Sequence, residues 1–182
     1  MCEEEKTLVT DTTLEEYFYK ELFDLNNSSA IPLPQPFIFY GSQLLNRYAA
    51  SSEFFEKKDG RIREKIMGMK LLESYGLSHD QKLKEYREIG DYTLLLCGYF
   101  FDKFQRNRSI ISKSYYQKIG QTAYRSLNKV QGEFLDMKDF YKSLANNFTL
   151  IAALFSRLSY ENRSNDFEHH YLLDELDDKK AS

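Results

Sequence analysis

Apolar residues recur along this chain at three- and four-residue steps, and the recurrence predicts helices throughout. Leu14, Tyr17, Phe18, Leu22 and Leu25 form one such face after Asp11-Thr12-Thr13, where a Thr with Glu three residues on signals a helix start. Asn26-Asn27-Ser28-Ser29 stops it. Pro32-Leu33-Pro34-Gln35-Pro36 then predicts an extended strap, because alternate prolines fix φ and disfavour helix between them. A second helix is expected from Phe37 to about Ala50, with Tyr40, Leu44, Leu45 and Tyr48 on one side. Ile62, Ile66, Met69 and Leu72 or Leu71 predict a third, with Gly76 as a left-handed cap.

Ser78 opens a segment in which Leu83, Tyr86, Gly90, Leu94, Cys97 and Phe101 share a face. Ser112 caps another that holds Tyr115, Tyr116, Ile119, Ala123, Tyr124 and Leu127. Asp136 is expected to cap a last long helix with a stripe from Met137 through Phe148 to Leu158. No stretch alternates with a period of two over strand length. The fold class is therefore all-α: a single bundle of about six helices with a Pro-rich strap and an acidic C-terminal tail. Residues 1–10 read as a loose acidic N-terminus, 11–160 as the helical domain, and 161–182 as the tail, in which Leu172, Leu173 and Leu176 among acids suit a short docking helix.

Length and composition fit that plan. A chain of 182 residues with 42% hydrophobic residues buries a substantial core as one domain. Fourteen Tyr and fourteen Phe supply large rings, and buried phenol tips need hydrogen-bond partners. Two cysteines, Cys2 and Cys97, make no disulfide framework. The acidic Met1-Cys2-Glu3-Glu4-Glu5 start does not read as a signal or transit peptide, and the apolar runs are too short to span a bilayer. These features point to a cytoplasmic protein without a membrane role.

Charge is sorted along the chain although the net charge is only −3. Lys103, Arg106, Arg108, Lys113, Lys118, Arg125 and Lys129 fall in a stretch with no Asp or Glu, whereas both termini are rich in acids. Arg106 and Arg108 precede the Ser112 helix and Lys113 lies in its first turn, an arrangement suited to anions. Lys118, Arg125 and Lys129 share much of one face, and Tyr115 and Tyr116 add contact area. The expected binding surface is this set of eight. The partner it predicts is an acidic protein; a nucleic acid or a phosphate ligand on the same surface is the weaker alternative, since nucleic-acid domains are usually basic overall. The acidic tail, with Asp174, Glu175, Asp177 and Asp178, can mask the same surface.

Catalytic signatures are missing. His79, His169 and His170 show no metal-ligand spacing, and no nucleophile elbow or phosphate loop occurs. No cofactor or metal is implied. Glu85, Glu88 and Asp91 lie at three-residue spacing, but Lys82, Lys84 and Arg87 interleave them and a solvated, salt-bridged face is the simpler account. An enzyme with a helical pocket around Glu88, Asp91 and Tyr124 stands as a second alternative to a binding protein.

Glu88-Ile89-Gly90-Asp91, Gly98-Tyr99-Phe100, Tyr115-Tyr116, Gly120 and Ala123-Tyr124 together resemble a run found in a group of uncharacterised bacterial all-helical proteins. The resemblance covers about residues 85–127. It implies a helical fold and a bacterial source, and it transfers no catalytic residue. This chain has Phe101-Asp102 where such proteins often carry a proline. From the residues themselves, Gly90, Gly98, Gly120 and Ala123 permit close helix approach, and Asp91 reads as a partly buried carboxylate held by a Tyr hydroxyl or an Arg. The role expected on these grounds is that of a non-catalytic adaptor or regulatory protein.

Overall fold

The computed structural model describes residues 13–49, 60–101, 112–131, 133–134 and 136–163; for residues 60–66 it describes the backbone alone. The acidic N-terminus, the stretch bearing Lys103, Arg106 and Arg108, and the residues from 164 onward lie outside the described residues.

The protein is all-α. Helix α1, Leu14–Asn27, starts at Thr13, whose hydroxyl accepts from the Glu16 amide while the Glu16 carboxylate accepts from the Thr13 amide. Two otherwise orphaned backbone donors are thereby satisfied. The strap that follows is shorter than its prolines predict. Pro36 falls in the first turn of α2, Gln35–Ala49, where a missing N–H is tolerated. Asn26 holds the turn: its amide nitrogen donates to the Leu33 carbonyl at 2.9 Å and its oxygen accepts from the Leu33 amide at 2.7 Å. Buried Leu33 plugs the base of this α-hairpin.

Helix α3, Gly60–Glu73, runs into a 3₁₀ turn, Ser74–Gly76. Gly76 is not the left-handed cap expected of it, since no described glycine has positive φ; the tightened turn and the Leu77 amide bonded to Ser74 carbonyl end the helix instead. Helix α4, His79–Cys97, begins where the Gln81 side-chain oxygen accepts from the Ser78 amide and hydroxyl. Helix α5, Lys113–Val130, begins at Ser112, whose hydroxyl accepts from the Tyr115 amide at 3.4 Å.

The C-terminal part departs most from the periodicity. Asp136 does not cap a long helix. It and Asp139 have φ of 59° and 56°, a left-handed geometry that Asp tolerates better than most residues. The first turns a minimal antiparallel hairpin, Glu133–Phe134 against Met137–Lys138; the second leads into α6, Phe140–Asn146. Asn128 of α5 caps α6 from outside, accepting the Lys142 amide and donating to Asp139. After a break at Asn147 the chain resumes as α7, residues 148–163. Seven α-helices among the described residues therefore stand where about six were expected.

Helices α4 and α5 form the centre, and small residues bring them together. A Cβ on Gly90 would sit 2.6–2.9 Å from the Tyr124 ring. One on Gly120 would collide with Thr93 and with the Phe148 ring. Phe148, Ala152 and Phe155 of α7 cover the far side, with Phe155 packed beside Gly98 and Gly41. An aromatic cluster of Tyr40, Phe134, Phe140 and Tyr141 closes the end of the bundle near the hairpin, its ring centroids 4.6–6.2 Å apart.

Alanine at Gly90 gains helix propensity of roughly 1 kcal/mol but must displace the buried Tyr124 ring, whose hydroxyl is bonded to Asp91. The net effect expected of Gly90→Ala is a loss on the order of 1–3 kcal/mol, read by urea denaturation. A midpoint equal to or above that of the wild type would refute this packing.

Candidate functional site

Two places gather polar groups: the outer face of α5, and a cleft beside α4 with a hydrogen-bonded network behind it.

Amphipathic α5 turns Tyr116, Ile119, Ala123, Tyr124 and Leu127 inward. Its outer side carries Tyr115, Lys118, Thr122, Arg125 and Lys129, which follow one another at steps of three and four and so line up along the axis. Lys118, Arg125 and Lys129 are exposed, and no described carboxylate lies within ion-pair distance of any of them. The structure removes one expected member of this surface. Tyr116 is 2% exposed and packs in the core, because it sits one position round from Tyr115 on the apolar side. Tyr115 stays outside, 39% exposed, its hydroxyl 2.5 Å from where a Gly68 Cβ would lie on α3. Lys113 is half-buried, with Nζ 3.9 Å above the centroid of the Phe101 ring. Arg106 and Arg108 lie outside the described residues, so the structure brings together Tyr115, Lys118, Arg125 and Lys129, with Lys113 at the edge.

Asp91 lies in the middle of α4, fully buried. Its Oδ1 accepts from the hydroxyls of Tyr40 at 2.6 Å and Tyr124 at 2.8 Å; its Oδ2 accepts from Arg47 Nη1 at 3.1 Å. Three helices meet on one carboxylate. Gly90 admits the Tyr124 ring against α4, which places its hydroxyl beside the next residue. Burial pushes the Asp91 carboxyl up from its ordinary value, with Tyr40, Arg47 and Tyr124 pulling the other way. The Tyr40 and Tyr124 phenols are held well above their usual range, first by burial and then by the Asp91 charge.

Arg47 carries this network to the surface, since its side chain is 54% exposed. It opens into a cleft of about 720 Å³ between α2, the first half of α4 and the end of α5, where Tyr48, Leu83, Lys84, Arg87 and Gln131 also face it. Arg87 Nη2 donates to Gln131 Oε1 at 2.7 Å and to the Tyr141 hydroxyl at 3.2 Å, and its guanidinium lies 5.9 Å from the Tyr141 centroid. Burial raises the Tyr48 and Tyr141 phenols too, opposed at Tyr141 by Arg87.

Of the residues grouped for a helical pocket, Asp91 and Tyr124 touch but are closed to solvent. Glu88 lies apart on the cleft rim and pairs with Lys70 at 3.6 Å; Glu85 pairs with the same lysine at 3.4 Å. Tyr40, Arg47, Tyr141 and Gln131 carry no local sequence signal, since their roles depend on partners 44–54 residues away. Cys97 is buried and its thiol is pushed up to about 12 by desolvation, with Lys113 opposing, which leaves it little nucleophilic character. Among the described residues no three His, Cys, Asp or Glu side chains gather as a metal site, and no helix is long and apolar enough to cross a membrane. No protein-family model, curated protein or solved structure matches the chain.

Asp91→Ala leaves two buried phenols without an acceptor and should lower stability by roughly 2–4 kcal/mol; Asp91→Asn, which keeps an acceptor oxygen, should lose less. The folded carboxyl binds its proton more tightly than the unfolded one, so the Asp91 contribution is full below 3.8 and declines as pH rises from there through the higher folded value. Denaturation at a series of pH values should show this decline in the wild type and not in Asp91→Asn. Parallel curves would contradict it.

Proposed function

We propose that the protein is a non-catalytic binding protein of adaptor or regulatory type, and that the outer face of α5 is its recognition surface for an acidic, partly apolar segment of a protein partner. The observation that carries the reading is the line of three exposed cations, Lys118, Arg125 and Lys129, unmatched by any described carboxylate. Such a line sets up a local positive field on a chain whose net charge is −3. Apolar contact is available alongside. Tyr115 packs next to Gly68 of α3, and Leu72, one turn beyond Gly68, is 71% exposed. A mixed basic and apolar surface suits an acidic peptide better than a nucleic acid, whose bases would find one exposed ring there in place of two.

The chain's own tail has the same chemistry as the partner and competes for the surface. Residue 163 ends the described part at a favourable place. Asn162 donates to the Tyr99 hydroxyl beyond the end of α4 at 3.4 Å, and the Cys97 thiol of α4 lies 3.8 Å from the Lys113 carbonyl at the start of α5. A segment continuing from there begins near the N-terminal end of the basic line.

A fluorescent peptide of residues 165–178 serves as the probe, with affinity followed by anisotropy. The full-length chain should bind it weakly, and a chain ending at Arg163 should bind roughly tenfold more tightly. Lys118→Glu, Arg125→Glu and Lys129→Glu together should abolish binding, and added salt should weaken it. Binding that ignores the triple substitution would dismiss this face.

A further inference from the structure

We propose that the cleft beside Arg47 and Arg87 is a binding site for a small organic monocarboxylate, separate from the face of α5. Its charges account for the sign of the ligand. Arg47 is answered by Asp91 behind it, and Lys70 at the rim is shared between Glu85 and Glu88. Arg87 and Lys84 stand on the cleft wall with Arg47, and Asp80 and Glu88 are the carboxylates that line it. A monoanion suits the two guanidinium groups, whereas a phosphate dianion would be repelled more strongly by Asp80 and Glu88.

The partners of Arg87 make the case sharper. A half-buried guanidinium ordinarily sits beside a carboxylate, because removing its charge from water is costly unless the charge is matched. The hydrogen-bond partners of Arg87 are neutral, Gln131 and Tyr141, and both engage Nη2. Nε is shut off from solvent with no partner among the described residues, and no described bond uses Nη1. The two neutral partners and the Tyr141 ring fix the plane of the fork, which presets Nη1 as a donor to an oxyanion. Arg47 is likewise fixed through one nitrogen by Asp91, while its side chain is 54% exposed. Two preset guanidinium groups thus border one cavity.

Size and lining define the rest of the ligand. At about 720 Å³ the cleft has room well beyond a bare ion and lies in the range of metabolite sites. Leu83 and the partly buried Tyr48 offer apolar surface for a hydrocarbon or aromatic body. The assignment is therefore a carboxylic acid with an apolar body, its carboxylate between Arg47 and Arg87.

The test titrates the full-length protein with sodium benzoate, at ionic strength held constant with sodium chloride, while the arginine Nε–Hε resonances are followed by NMR. Saturable shifts of the Arg47 and Arg87 signals are expected, with inorganic phosphate giving weaker or no saturation. Arg87→Gln should weaken benzoate binding at least about tenfold, and Arg157→Gln, distant on α7, should leave it unchanged. Should Arg87→Gln fail to fold, exposed Lys84→Gln provides the second arm, with an expected loss of about two- to threefold. No saturation by benzoate, an affinity indifferent to both substitutions, or tighter binding of phosphate would each overturn the proposal.

Discussion

The architecture depends on one buried carboxylate. Asp91 draws a hydroxyl from α2, a hydroxyl from α5 and a guanidinium from α2 onto two oxygen atoms. A charge withdrawn from water is tolerable only where its oxygens are well supplied with donors, and this requirement fixes the mutual positions of three helices more narrowly than apolar packing would. Apolar burial carries no directional requirement of its own. Hydrogen bonds of 2.6–3.1 Å allow no such latitude. The network therefore works as a registration device, and the aromatic cluster at the end of the bundle packs around Tyr40 once that tyrosine is in place.

Close approach is the complementary condition. Tyr124 reaches Asp91 because Gly90 leaves space for its ring, and Gly120 lets α5 settle against Thr93 and Phe148. Two glycines inside helices weaken them locally. In this fold that weakness is offset by contacts available only when the backbones come near. The same closeness separates the inner side of α5, which is dry and aromatic, from its outer side, which is basic and wet.

Much of this was legible in the sequence, and the gaps have physical causes. Periodicity located α1, α4 and α5, and the capping residues Thr13, Ser78 and Ser112 mark their starts, because a helix start is a local event. Asp136 misled for the same reason: a single Asp before an apolar stripe reads as a cap, whereas here two aspartates in left-handed geometry turn the chain twice. The break at Asn147 is hidden because Leu144, Phe148 and Ile151 keep helical spacing across it and stay buried. Tyr115 and Tyr116 were indistinguishable as a pair until neighbouring helices decided which ring was inside. The anionic centre at Asp91 could be suspected from its neighbours in sequence, but Tyr40, Arg47 and Tyr141 could not, being joined to it or to Arg87 only by tertiary folding.

The reach of those bonds bears on how such a fold would drift. Tyr40 and Tyr124 stand 51 and 33 positions from Asp91, and the loss of either hydroxyl leaves Oδ1 with one donor in place of two. Replacement at any one of the three therefore weakens the bonding of the other two. A Tyr, Asp, Tyr trio at about these intervals should consequently outlast the surrounding apolar spelling, and would be a sensible query when distant kin are sought.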